Sequence, residues 1–338
     1  MTSSVFVGLA LTIVAGAMSG NCMLPAKFVH SWKWENLWLV FSVVSLVILP
    51  WGLALLLVGH LETAYATLKL SKFLAAVAFG AGWGIAQVLF GISVARLGLG
   101  VAYSIIVGLG AVLGTLVPLF VEQRKSVSTG ALSFLLAGVL LMVLGISLTA
   151  WGGHLREKGA RGDGPLIERR GYLASVLLAV LCGFLAPMLN YAFAFGQDIA
   201  RQAVAVGNSP VRAAYAVWPI ALAGGFVPNL AYSVYQLARN RSMSAFRTPF
   251  PDVFLASAMA ALWMGALAIY GMSAVFLGPL GTSVGWGLFQ IFMITTAIGS
   301  GVLTGEWMGS PNRARAFLGF GLGALILATL LFIVGDRF

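Results

Sequence analysis

Phe90–Gly100 reads "FGISVARLGLG", and 180 residues further on Tyr270–Gly281 reads "YGMSAVFLGPLG". At that one offset Phe90 meets Tyr270, Gly91 meets Gly271, Ser93 meets Ser273, Leu97 meets Leu277 and Gly98 meets Gly278. Trp83 and Trp263 keep the same offset upstream. Short matches among Gly, Ser and Leu arise by chance in apolar helices, but six positions at one constant offset favour a duplicated unit.

The composition says what kind of unit this is. Of 338 residues, 60% are hydrophobic and 9% are charged, whereas soluble domains carry about 25% charged residues. Mean hydropathy is +0.96. Such a chain has too few charges to build a water-facing surface, so it reads as a polytopic membrane protein. The net charge of +10 is spread between hydrophobic runs, as in membrane loops, and does not point to nucleic acid. Cys22 and Cys182 lie inside apolar runs and read as small hydrophobes. His30, His60 and His154 fall in polar connections, and neither a phosphate-binding G-x-x-x-x-G-K-[ST] nor an H-E-x-x-H occurs. No metal or other cofactor and no enzymatic site is called for.

A helix needs about 20 mainly apolar residues to cross the hydrocarbon core. Runs between charged or turn-rich breaks predict ten spans: 5–25, 37–58, 73–95, 99–121, 130–150, 172–195, 213–237, 252–272, 281–303 and 315–335. The first lacks a basic leader and is long for a signal peptide, so it reads as a retained helix. The two echoing phrases close the third and eighth spans. Five spans is an odd number, so the second copy runs the opposite way through the bilayer. This is the inverted-topology repeat of many secondary transporters. The expected fold is all-α, with ten transmembrane helices in two five-helix repeats at 1–151 and 171–338, joined by a charged linker at 152–170. With an inside N-terminus, seven of the twenty basic residues would face the cytoplasm and thirteen the outside. The positive-inside rule therefore favours both termini outside.

The stretch "KFVHSWKWENLWLVFSVVSLVILPW" (27–51), "FGAGWGIAQVLFGISVARLGLGVAYSIIVGLGAVLGTLVP" (79–118) and "LTGEW" (303–307) resemble the L-rhamnose–proton symporter family of the drug/metabolite transporter superfamily. The resemblance implies a five-plus-five inverted fold, the cell inner membrane, and proton-coupled uptake of a 6-deoxyhexose. It also implies cytoplasmic termini, against the charge count.

Transporter sites lie near the midplane, and polar groups deep in a span are the candidates. Trp83 with Gln87, and Trp286 with Gln290, each share one helical face at a spacing of four. A Trp ring can stack on the C–H face of a sugar while a carboxamide donates to and accepts from its hydroxyls. The same spacing also serves plain interhelical packing. Asn21, Asn190 and Tyr191 lie near helix-bending prolines, Pro25 and Pro187. Tyr103 and Tyr270 complete the substrate candidates. Glu122, Asp198 and Glu306, at span ends, are the candidate proton carriers. None of the acids falls mid-span, and an end carboxylate is often only solvated or paired. Arg96 reads as a snorkelling loop cation.

The expected partners are a small neutral sugar, protons and lipid. Export, exchange or facilitation of another metabolite is the second reading. An enzyme acting on lipid-linked sugars would need clustered acids or histidines, which the sequence lacks, and a receptor would need a larger soluble domain.

Overall fold

The computed structural model describes residues 3–124, 127–161, 169–247 and 251–335. Ten of its helical segments are long and apolar enough to cross a membrane: Ser4–Phe28, Trp34–Leu57, Leu70–Leu97, Gly100–Gln123, Thr129–Lys158, Gly171–Ala205, Pro210–Asn240, Asp252–Leu280, Val284–Leu303 and Asn312–Gly335. Each expected run finds its helix, and among the described residues there is no strand. Several helices outrun the apolar stretch that announces them. The fifth continues to Lys158 and the sixth to Ala205, because helical hydrogen bonding need not stop where the hydrocarbon does. Residues 162–168 of the charged linker lie outside the described residues. So do Asp163, Glu168 and Asp336.

In lipid no hydrophobic drive pulls helices together, so close packing and polar contacts must do it. The third and seventh spans meet through glycine. A Cβ on Gly80 would sit 1.7 Å from Ala221 O, and one on Gly224 would sit 2.0 Å from Val77 O. The first span packs against the eighth and ninth, the sixth against the third and fourth, and the fifth against the tenth. Gly278, with φ +76°, breaks the chain between the eighth and ninth spans, a backbone that glycine adopts at little cost.

Polar ties mark the two ends of the bundle. Asp252, buried, accepts from the backbone N–H groups of His30, Ser31 and Trp32 at 3.3, 2.9 and 3.0 Å. Buried Glu35 accepts from Asn240 Nδ2 at 3.0 Å and from Ser242 Oγ at 2.6 Å. Both carboxylates are thereby satisfied where water is excluded. They clamp the connection between the first two spans to the one between the seventh and eighth. At the opposite end, the Asn208 carboxamide accepts from Gly59 N at 2.7 Å and donates to Gly59 O at 2.8 Å. It joins the connection after the second span to that after the sixth.

Candidate functional site

A cavity of about 560 Å³ lies among the first, third, fourth, sixth, eighth and ninth spans. Its mouth, at Lys27 and Glu306, is on the end of the bundle that carries Asp252, here called the open face. Trp83, Gln87, Trp286, Gln290, Asn21 and Tyr103 all line it. Helical spacing brings Trp83 and Gln87 to it from one side, and Trp286 and Gln290 from the other.

The two carboxamides are the informative groups. Gln290 is buried, yet neither it nor Gln87 hydrogen-bonds another described residue. Had they served helix packing they would have spent their donors and acceptors on neighbouring spans. Their hydrogen-bonding capacity is instead open to the cavity. Asn21 is committed on both sides, donating to Ala17 O at 2.8 Å and accepting from Ser300 Oγ. The Trp286 indole N–H reaches Gly110 O at 3.3 Å, which leaves its ring as the cavity wall.

Three further candidates lie off the cavity. Asn190 is buried, donates to Gly114 O and to Thr282 O at 2.9 Å each, and accepts from Tyr270 OH at 2.7 Å. Tyr270 is fully buried against Trp286 and Phe289. Tyr191 packs in a ring cluster with Phe79 and Phe195.

The acids separate by face. Glu306 pairs with Lys27 and, at 3.3 Å, with Arg156, at the cavity mouth. The Lys27 hydrogen bond, with the Arg156 charge behind it, holds the Glu306 carboxyl below the usual carboxylate range against a smaller opposing effect of burial. Asp198 pairs with Arg201 and with Lys72 at 2.8 Å near the opposite, closed face. Glu122 lines a different cavity there, beside Arg201.

Sequence reading passed over Trp263, which lines the cavity and stacks on Trp83. It also passed over Phe289, Ser300 and Lys27. For Trp263 the signal was present, since it stands at the same 180-residue offset from Trp83 as the repeated phrase.

Comparison with known proteins agrees with this architecture. A family model described as L-rhamnose-proton symport protein matches residues 1–336. L-rhamnose-proton symporters of Citrobacter koseri and of an Escherichia coli strain are each 25% identical over 337 residues, covering 97% of both chains. The one from Shigella dysenteriae is 25% identical over 344 residues, covering 99% of both. With its ten apolar helices the chain is a multi-pass protein of the inner membrane. It belongs to the L-rhamnose-proton symport protein family.

Proposed function

We propose that this chain is a secondary transporter that imports L-rhamnose, or a similar 6-deoxyhexose, together with protons by alternating access. The observation that carries the reading is the pair of uncommitted carboxamides, Gln87 and Gln290, facing an aromatic cavity. A volume of about 560 Å³ is within the usual range of about 300–1,000 Å³ for small-ligand sites. The rings of Trp83, Trp263 and Trp286 offer stacking surface for the C–H face and the methyl group of a deoxy sugar. The amides offer donors and acceptors for its hydroxyls. The relatives named as symporters supply the substrate and the ion.

Two inverted halves, 1–151 and 171–338, are part of the proposal. Span pairs 1–8 and 1–9 are matched by 6–3 and 6–4, pair 2–8 by 7–3, and pair 4–5 by 9–10. Adding five to each span number carries these contacts into one another, as a repeat requires. The excess of basic residues on the open-face connections favours a cytoplasmic open face, with the cavity facing inward.

Coupling falls to Glu122, Asp198 and Glu306. Lys27 and Glu306 are the charged side chains that line the main cavity, which makes Glu306 the first of the three to test. Isothermal titration of the purified protein with L-rhamnose tests the binding claim. Saturable heat that vanishes in a Gln87→Ala, Gln290→Ala double variant supports it, and unchanged heat in that variant overturns it.

A further inference from the structure

A second cavity, of about 770 Å³, opens on the closed face. It is lined by Glu122 and Gln123 of the fourth span, Phe193, Gln197 and Arg201 of the sixth, and Thr282. Between it and the main cavity runs one hydrogen-bond network. Tyr270 OH donates to Asn190 Oδ1, and Asn190 Nδ2 donates to Gly114 O and to Thr282 O. Gln123 Nε2 donates to Thr282 Oγ1, and Gln123 Oε1 accepts from Ser283 Oγ.

The order of residues along the helices is the telling feature. On the sixth span Leu189 lines the main cavity, Asn190 belongs to the network and Phe193 lines the second cavity. On the fourth the order is Gly110, Gly114, Gln123, and on the eighth it is Leu267, Tyr270, Ala274. At 1.5 Å rise per residue, the seven positions from Leu267 to Ala274 separate the two spaces by about 10 Å. Three helices thus pass from one cavity through one layer of hydrogen bonds into the other.

We propose that the second cavity is the opposite mouth of the sugar path and a second contact site for the same neutral polyol, with the Tyr270–Asn190–Thr282–Gln123–Ser283 network as the wall between. The ligand chemistry rests on the sugar-transport reading; the wall does not. At this site the Glu122 and Gln197 oxygens accept from hydroxyls. One Gln197 amide N–H donates to Phe193 O at 2.9 Å. One Arg201 guanidinium N–H donates to Asp198. Opening the wall costs a small set of neutral hydrogen bonds and no buried ion pair, since every member of the network is uncharged.

The test uses the full chain in sealed vesicles of both orientations, with a membrane-impermeant maleimide. The native Cys22 and Cys182 are buried, so background labelling is low. Val275, which lines the second cavity and is exposed there, is changed to cysteine. Saturating L-rhamnose is expected to slow labelling of Val275→Cys from the closed face several-fold, and complete labelling to cut uptake tenfold or more. Labelling indifferent to the sugar, or uptake indifferent to labelling, overturns the second site.

For the wall, Met293→Cys in the main cavity is labelled from the closed face with and without Tyr270→Phe. Loss of one buried hydrogen bond is expected to raise that rate roughly fivefold. Thr282→Val takes the place of Tyr270→Phe should that variant fail to fold. An unchanged rate overturns the wall. A parent protein that takes up no L-rhamnose while Tyr270→Phe still opens Met293 to the closed face overturns the sugar reading and leaves the wall standing.

Discussion

Trp83 and Trp263, 180 positions apart in the chain, stack on one another with ring centroids 5.3 Å apart and planes inclined by 20°. Two residues in matching places of the echoing segments therefore meet in space, and both line the main cavity. The third and eighth spans present them face to face, which makes the pair the aromatic centre of the proposed sugar site.

Removing half of that pair should cost binding and leave the helices in place. Trp263→Leu is expected to weaken L-rhamnose binding about tenfold, while Trp263→Phe keeps a ring and loses less, since aromatic contacts contribute about 0.5–1.5 kcal/mol beyond area. Titration calorimetry on both variants checks this. Equal affinity in Trp263→Leu and the parent would place the sugar elsewhere.

Gln87→Ala and Gln290→Ala each remove a carboxamide that has no hydrogen-bond partner among the described residues. Each should lower affinity by about fivefold to tenfold, at roughly 1 kcal/mol per hydrogen bond, and leave the melting temperature within about a degree. A large loss of melting temperature would mean that the amides hold the fold after all.

The Lys27–Glu306 pair gives a pH signature. Because the folded pKa of Glu306 lies below its unfolded value near 4.5, the pair stabilises the folded state above that value. That contribution is lost as pH falls through the lower, folded pKa. The gap in melting temperature between the parent and Glu306→Gln should be constant from about pH 8 to pH 5 and shrink below about pH 4.5. A gap that instead grew on acidification would contradict the pairing.

Close packing of the third and seventh spans depends on glycine. Gly80→Val should reduce the folded yield severely, because a Cβ there would lie 1.7 Å from Ala221 O and the two backbones must part. Size-exclusion profiles of Gly80→Val and of Gly91→Ala, whose Cβ would meet nothing within 4 Å, provide the comparison. Equal behaviour of the two would refute the tight crossing.

Much of this molecule was legible in the sequence because the bilayer imposes a simple code. Ten apolar runs became ten helices, and a spacing of four put Trp83 with Gln87, and Trp286 with Gln290, on cavity-facing sides. What one helix presents to another was not legible. Asn190 and Tyr270 read as ligand contacts, yet the Tyr270 hydroxyl donates to Asn190 and the Asn190 amide donates to Gly114 and Thr282. Only packing decides whether a deep polar group meets a cavity or a neighbour. Packing likewise decides that Asp252 and Glu35 are buried as clamps across the open face. Hydropathy also gave no sign of where the sixth span breaks, at Pro187 and again at Gly196. The break follows from the missing proline N–H and from local backbone geometry, not from apolar content.

The most direct test is uptake of labelled L-rhamnose into proteoliposomes of the purified chain, with an imposed proton gradient and without one. Proton-coupled import is expected to give accumulation above equilibrium that a protonophore abolishes and that Glu306→Gln reduces to simple equilibration. Uptake that never exceeds equilibrium under any gradient, or no uptake by protein shown to be folded, would contradict it.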